Sequence, residues 1–95
     1  MALLLFGVCF VSAQQNLSVS GVVSDASDGS PMIGVSVIVK GTTTATITDA
    51  NGKYSMNAPQ GSTLIFSYIG MEKTTVAVKS NVINVTLKSD SKVLD

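Results

Sequence analysis

Apolar residues recur at every second position in segment after segment from Leu17 to Leu87, and nowhere at the sustained 3.6-residue spacing of an amphipathic helix. Successive side chains of an extended chain point to opposite faces, so this pattern dictates half-buried strands and an all-β fold. Seven segments carry it. Leu17, Val19 and Val23 oppose Ser18, Ser20 and Ser24, and Val35, Val37 and Val39 oppose Ser36, Ile38 and Lys40. Ala45 and Ile47 alternate with Thr44, Thr46 and Thr48, and Tyr54 and Met56 with Lys53, Ser55 and Asn57. Leu64, Phe66 and Tyr68 share one face of the fifth segment, with Ile65, Ser67 and Ile69 opposite. Val76 and Val78 then alternate with Thr75, Ala77 and Lys79, and Ile83, Val85 and Leu87 with Asn84, Thr86 and Lys88. Ile38 places an apolar residue on the second face of its strand, which predicts a central strand covered on both sides.

The breaks between segments hold residues that turn a chain for identifiable reasons. Asp25 to Pro31 (DASDGSP) supplies Asp and Ser side chains that cap turns, Gly29 for a positive φ, and Pro31 to end pairing. Asn51-Gly52 signals a hairpin, Pro59 to Gly61 a further turn, Ile69-Gly70 a tight reversal, and Ser80-Asn81 a two-residue connection. Seven short strands at this spacing predict a seven-stranded Greek-key β-sandwich, spanning residues 14–88. From Ser89 the alternation dissolves into SDSKVLD, so residues 89–95 read as a linker.

Leu3 to Val11 (LLLFGVCFV) is an apolar run of another kind, followed by Val11-Ser12-Ala13, which looks like a small-residue cleavage site before Gln14. The run is too short for a bilayer, which needs about 20 apolar residues. Residues 1–13 therefore read as an export signal, truncated at its start because no Lys or Arg precedes Leu3. A buried first strand is the competing reading. Cys9, the one cysteine, lies inside this run, so the piece from Gln14 has no disulfide to form. Phe6, Val8 and Phe10 are too bulky for a lipid-attachment site around it. Lys+Arg and Asp+Glu each number 6, and this zero balance implies no charge-driven partner, neither nucleic acid nor an anionic membrane surface. The roughly 82 residues after the leader must be held by apolar burial alone, with little margin.

Catalysis lacks its usual players. Without His or Arg anywhere, and without Cys after the leader, the chain has no means to build a Ser-His triad, a Cys/His pair or an imidazole metal site. The serines lie in alternating strands or turns, with neither a nucleophile elbow nor a Ser-x-x-Lys context, so no catalytic residue is assigned. Asp49-Ala50-Asn51-Gly52, helped by Asp25 and Asp28, is the best candidate for calcium, but it lacks the bidentate Glu of an EF-hand loop. Turn chemistry is the favoured reading of these carboxylates, and no metal or cofactor site is assigned. Asn16 and Asn84 head Asn-x-Ser/Thr triplets, which arise often by chance in a Ser/Thr-rich chain. Tyr54, Phe66 and Tyr68 could form a stacking platform for sugars or bases, but each is in phase with apolar neighbours, which favours core packing.

The run from Gly21 to Met56 (GVVSDASDGSPMIGVSVIVKGTTTATITDANGKYSM), the apolar LIFSYIGM (Leu64 to Met71) and VINVTLKSDSKVLD (Val82 to Asp95) resemble a known extracytoplasmic module. It is the carboxypeptidase-regulatory-like, transthyretin-like (prealbumin-like) β-sandwich at the amino terminus of SusC/RagA-type TonB-linked outer-membrane transporters. The resemblance covers nearly all of the mature chain and carries over structural positions only.

What the resemblance implies is a non-catalytic periplasmic extension domain of a transporter for glycans or other large nutrients. Its partners would be the transporter's own plug and barrel, TonB-system or other periplasmic proteins, and a surface lipoprotein acting through the full-length transporter. The isolated domain is expected to be monomeric, and 89–95 would lead into a TonB-contacting segment. Two other classes remain open: a carbohydrate-binding or adhesin-type sandwich, and the accessory domain of a secreted carboxypeptidase.

Overall fold

In the computed structural model the described residues are 16–90; the leader and residues 91–95 of the linker lie outside them. Seven strands follow one another: β1 (Asn16–Asp25), β2 (Ser36–Val39), β3 (Ala45–Ile47), β4 (Lys53–Pro59), β5 (Thr63–Ser67), β6 (Thr74–Ala77) and β7 (Val85–Leu87). They form two sheets, ordered β4-β1-β7 and β3-β2-β5-β6, and the described residues contain no helix. The inward faces meet in one core of Val19, Val23, Val35, Val37, Val39, Tyr54, Ala58, Leu64, Phe66, Val78, Ile83, Val85 and Leu87. Each large aliphatic or aromatic side chain so buried stabilises the fold by roughly 1.5–3 kcal/mol relative to exposure. The all-β sandwich that the alternation demands is therefore present.

The connections differ from a series of hairpins. Asn51-Gly52 does reverse the chain, with the Gly52 N–H donating to the Asp49 carbonyl at 2.9 Å and the Asp49 N–H to the Lys53 carbonyl at 2.9 Å. Yet β3 and β4 belong to different sheets. Gly52 has φ 73, and a Cβ there would stand 2.7 Å from the Val23 carbonyl oxygen and 2.9 Å from Pro31 Cβ. The Val23 N–H donates to the Gly52 carbonyl at 2.8 Å, so the turn is drawn onto β1 and the strand after it is delivered to the opposite sheet. Ser80-Asn81 likewise crosses between sheets, because β7 joins β1 in parallel while β6 pairs with β5.

Three strand faces also depart from expectation. Ile38 lies on a strand that is central, between β3 and β5, but it is half-buried because nothing in the described residues covers that outer face. In β3 the apolar residues point outward. Val37 pairs with Thr46, and cross-strand partners share a face, so the threonines look at the core while Ile47 is 64% exposed. Thr48 is buried, accepting from the Val35 N–H at 2.9 Å and donating to the Met32 carbonyl at 2.6 Å. A side-chain hydroxyl thus satisfies two backbone groups where β2 begins. Tyr68 leaves the core at 41% exposed, because β5 ends at Ser67 and the chain then turns, the Met71 N–H donating to the Tyr68 carbonyl.

The parallel contact between β7 and β1 closes the sandwich, and it runs over a glycine. Ser20 bridges Val82 and Val23 pairs with Val85, leaving Gly21 beneath Ile83. A Cβ on Gly21 would overlap the Ile83 carbonyl, a backbone atom that has no freedom to swing aside. That carbonyl accepts the Tyr54 hydroxyl at 2.7 Å, while the Val22 N–H donates to Asn84 Oδ1 at 2.9 Å. The side chain of Asn84 therefore replaces a backbone acceptor in the ladder, and no donor is stranded at the seam.

Gly21→Ala is expected to lower stability by about 3 kcal/mol. Gly29→Ala should cost only about 1 kcal/mol, the backbone penalty of a positive φ, since a Cβ at Gly29 meets nothing within 4 Å. Urea unfolding of a chain beginning at Gln14 measures both, and equal losses would contradict the close approach at the seam.

Candidate interaction surface

The three carboxylates considered for calcium are each occupied by their own loop. Asp49 Oδ1 accepts from the Asn51 N–H at 2.9 Å and the Lys53 N–H at 3.0 Å, and these bonds, the one from Lys53 foremost, hold its pKa below the usual carboxylate value. Asp28 Oδ1 accepts from the Ser30 N–H and hydroxyl at 3.0 and 2.8 Å, which lowers its pKa in the same way. Asp25 Oδ1 takes the Ser27 N–H and hydroxyl, both at 2.8 Å. Turn geometry uses the lone pairs that a cation would need. Among the described residues no three metal-ligating side chains come together.

The aromatic residues do not form an exposed platform. Tyr54 and Phe66 meet edge to face inside the core, with ring centroids 5.4 Å apart and planes at 78°, and only Tyr68 reaches solvent. Asn84 is exposed, yet its side-chain oxygen is engaged at the β1–β7 seam. Its role, like those of Gly21 and Thr48, left no mark on the sequence. Each answers to a backbone group more than ten residues away in the chain, and alternation reports only local faces.

Backbone groups are the surface's most distinctive chemistry. The Val23 to Gly52 bond fixes the phase of the β1–β4 ladder, so that Tyr54, Met56 and Ala58 turn their N–H and C=O groups toward β1 and the residues between them turn outward. Of the outward set, Lys53 is closed by Asp49 at both groups. Pro59 has no N–H, and its carbonyl accepts the Ser62 N–H at 3.0 Å and the Ser62 hydroxyl at 2.6 Å. Ser55 and Asn57 remain, exposed, with no backbone partner among the described residues. The outer edge of β7 is instead capped at its end, where the Glu72 N–H donates to the Lys88 carbonyl and Met71 bridges Ser89. Beside the β4 edge lies an open groove of about 620 Å³ whose lining includes Ser20, Val22, Thr46, Ile47, Lys53 and Ser55.

Fold and surface together define a small β-sandwich module that offers turns, a groove and a strand edge. Residues 19–95 match the model of the CarboxypepD_reg-like domain, and the chain belongs to that family. It is 43% identical over 81 residues to the TonB-dependent receptor SusC of Bacteroides thetaiotaomicron, covering 85% of this chain and 8% of that protein. It is 47% identical over 70 residues to the TonB-dependent receptor P39 of Formosa agariphila, covering 72% of this chain and 7% of that receptor. With the receptor P3 of the same organism it shares 37% identity over 98 residues, covering all of this chain and 10% of the receptor. The chain thus spans a tenth or less of the length of these relatives.

Burial pushes the Tyr54 hydroxyl from 10.0 up to about 12. A pKa raised on folding gives a contribution that is complete below the unfolded value and is lost as pH climbs from about 10 toward 12. Tyr54→Phe should remove that alkaline limb. At neutral pH the substitution should cost about 1–3 kcal/mol, because the Ile83 carbonyl loses its donor. Thermal unfolding between pH 7 and 12 checks both, and an unchanged alkaline limb in the variant would contradict the assignment.

Proposed function

We propose that this module is the non-catalytic periplasmic amino-terminal extension of a TonB-dependent outer-membrane transporter, serving as a contact surface during the uptake of a large nutrient of the glycan class. The observation that carries the reading is the likeness to TonB-dependent receptors across most of this chain, combined with the small fraction of those receptors that it spans. Residues 1–13 would direct export, 14–88 form the sandwich, and 89–95 lead toward a TonB-contacting segment, plug and barrel. Partners on the periplasmic side would be TonB-system or other periplasmic proteins, and a surface lipoprotein would act through the full-length transporter.

The physical features support a role in contact over one in chemistry. The side chains able to ligate or react are committed to turns, and the buried aromatics leave no stacking surface for a sugar. An autonomous core lends no strand to a neighbouring barrel, so removing the module should leave the barrel able to assemble.

Deleting Asn16 to Lys88 from the full-length transporter is therefore expected to preserve its outer-membrane abundance while slowing growth on the limiting nutrient. Normal growth at normal abundance would remove the functional reading, and failure of the barrel to accumulate would replace it with a role in assembly.

A further inference from the structure

We propose that the outer edge of β4 at Ser55 and Asn57 is a strand-addition site for one extended polypeptide segment of a periplasmic partner. The inference rests on the contact role proposed above and names the surface that performs it. β4 has seven residues, whereas the other edge strands, β3, β6 and β7, have three, four and three. Its open backbone window is bounded on both sides: Lys53 is closed by Asp49, and Pro59 by its ring and by Ser62. Two donors and two acceptors remain between these stops, at residues two apart and facing one way. An incoming strand can satisfy all four with a three-residue stretch, and the closed ends set its register.

The side chains around the window define the partner's chemistry. Residues paired with Ser55 and Asn57 share the solvent face with them, so they are polar. The residue between them falls on the side of half-buried Met56, which packs against the core, and it is therefore apolar. Across the groove stands Ile47, 64% exposed, on β3. By the phase of the β2–β3 ladder, the N–H and C=O groups of Ile47 also face away from the sheet. One strand fits between β3 and β4. The edge of a second folded sandwich would bring its own β3 against this one, so the occupant is a free-standing segment with a polar–apolar–polar pattern.

Proline tests the edge without disturbing the described ladder, because the N–H it deletes at residue 55 or 57 points away from β1. In the full-length transporter, Ser55→Pro and Asn57→Pro should each slow nutrient-limited growth as far as deletion of the module does, at normal abundance. Thr75→Pro, at an outward position on the β6 edge, should leave growth unchanged. If the deletion slows growth and both β4 variants grow normally, the edge proposal fails and the contact reading stands. If the deletion has no effect, the contact reading itself fails.

Hydrogen exchange of the unaltered protein guards against variants that do not fold. Amides of Ser55 and Asn57 should exchange at least tenfold more slowly in the transporter within energised cell envelopes than in the purified chain. Equal exchange in the two would overturn the proposal. Protection in the purified chain that appears only as its concentration rises would identify a second copy as the occupant and overturn the partner segment.

Discussion

The whole sandwich hangs on the Ile83 carbonyl passing directly over Gly21. β1 is the one strand that pairs on both sides in its sheet, and its two ladders are independent: one to β4, one to β7. The β7 ladder is parallel, arrives after a crossing between sheets, and must approach β1 at backbone distance. Any side chain at Gly21 would lift it away. Tyr54 binds the carbonyl from within the core and Asn84 supplies the acceptor that Val22 would otherwise lose, so two side chains repair a ladder that the close approach has disturbed. Leu87, Val85 and Ile83 are buried because that seam holds, and with them goes one wall of the core.

Much of this architecture is legible in the chain. Period-two alternation locates all seven strands to within a few residues, since half-buried strands leave no other way to segregate apolar side chains. The absence of imidazole, guanidinium and a mature thiol is equally plain. What alternation does not encode is direction. At β3 the phase is readable but the inward face is not, because one Ile and one Ala do not outweigh threonines that can bond the backbone inside. At Asn51-Gly52 the turn is readable but its destination is not, because contacts of Gly52 with Val23 and Pro31 decide which sheet the next strand joins. At Gly21 a lone glycine within a strand is a recognised sign of close approach, and here it marks the seam.

Function follows from what is left over once the interior is satisfied. The carboxylates cap turns, the aromatics fill the core, and the family's transporter relatives extend far beyond this module. The described surface then offers recognition by shape and backbone. Such a module contributes to transport by holding a neighbour, and the β4 edge is where its backbone is least committed. Guarding residues at both ends of that edge keep the exposure short, in line with how native sheets limit indiscriminate pairing.

Native-state hydrogen exchange on a chain beginning at Gln14 tests the central claim most directly. Amides of Ser20, Val22 and Ile83 bridge the seam, and they should exchange only through global unfolding, as slowly as the amide of Val37 at the centre of the other sheet. Exchange of the seam amides at the fast rates of exposed edge positions such as Thr75 would mean that β7 frays independently, and that Gly21, Tyr54 and Asn84 do not hold the sandwich shut.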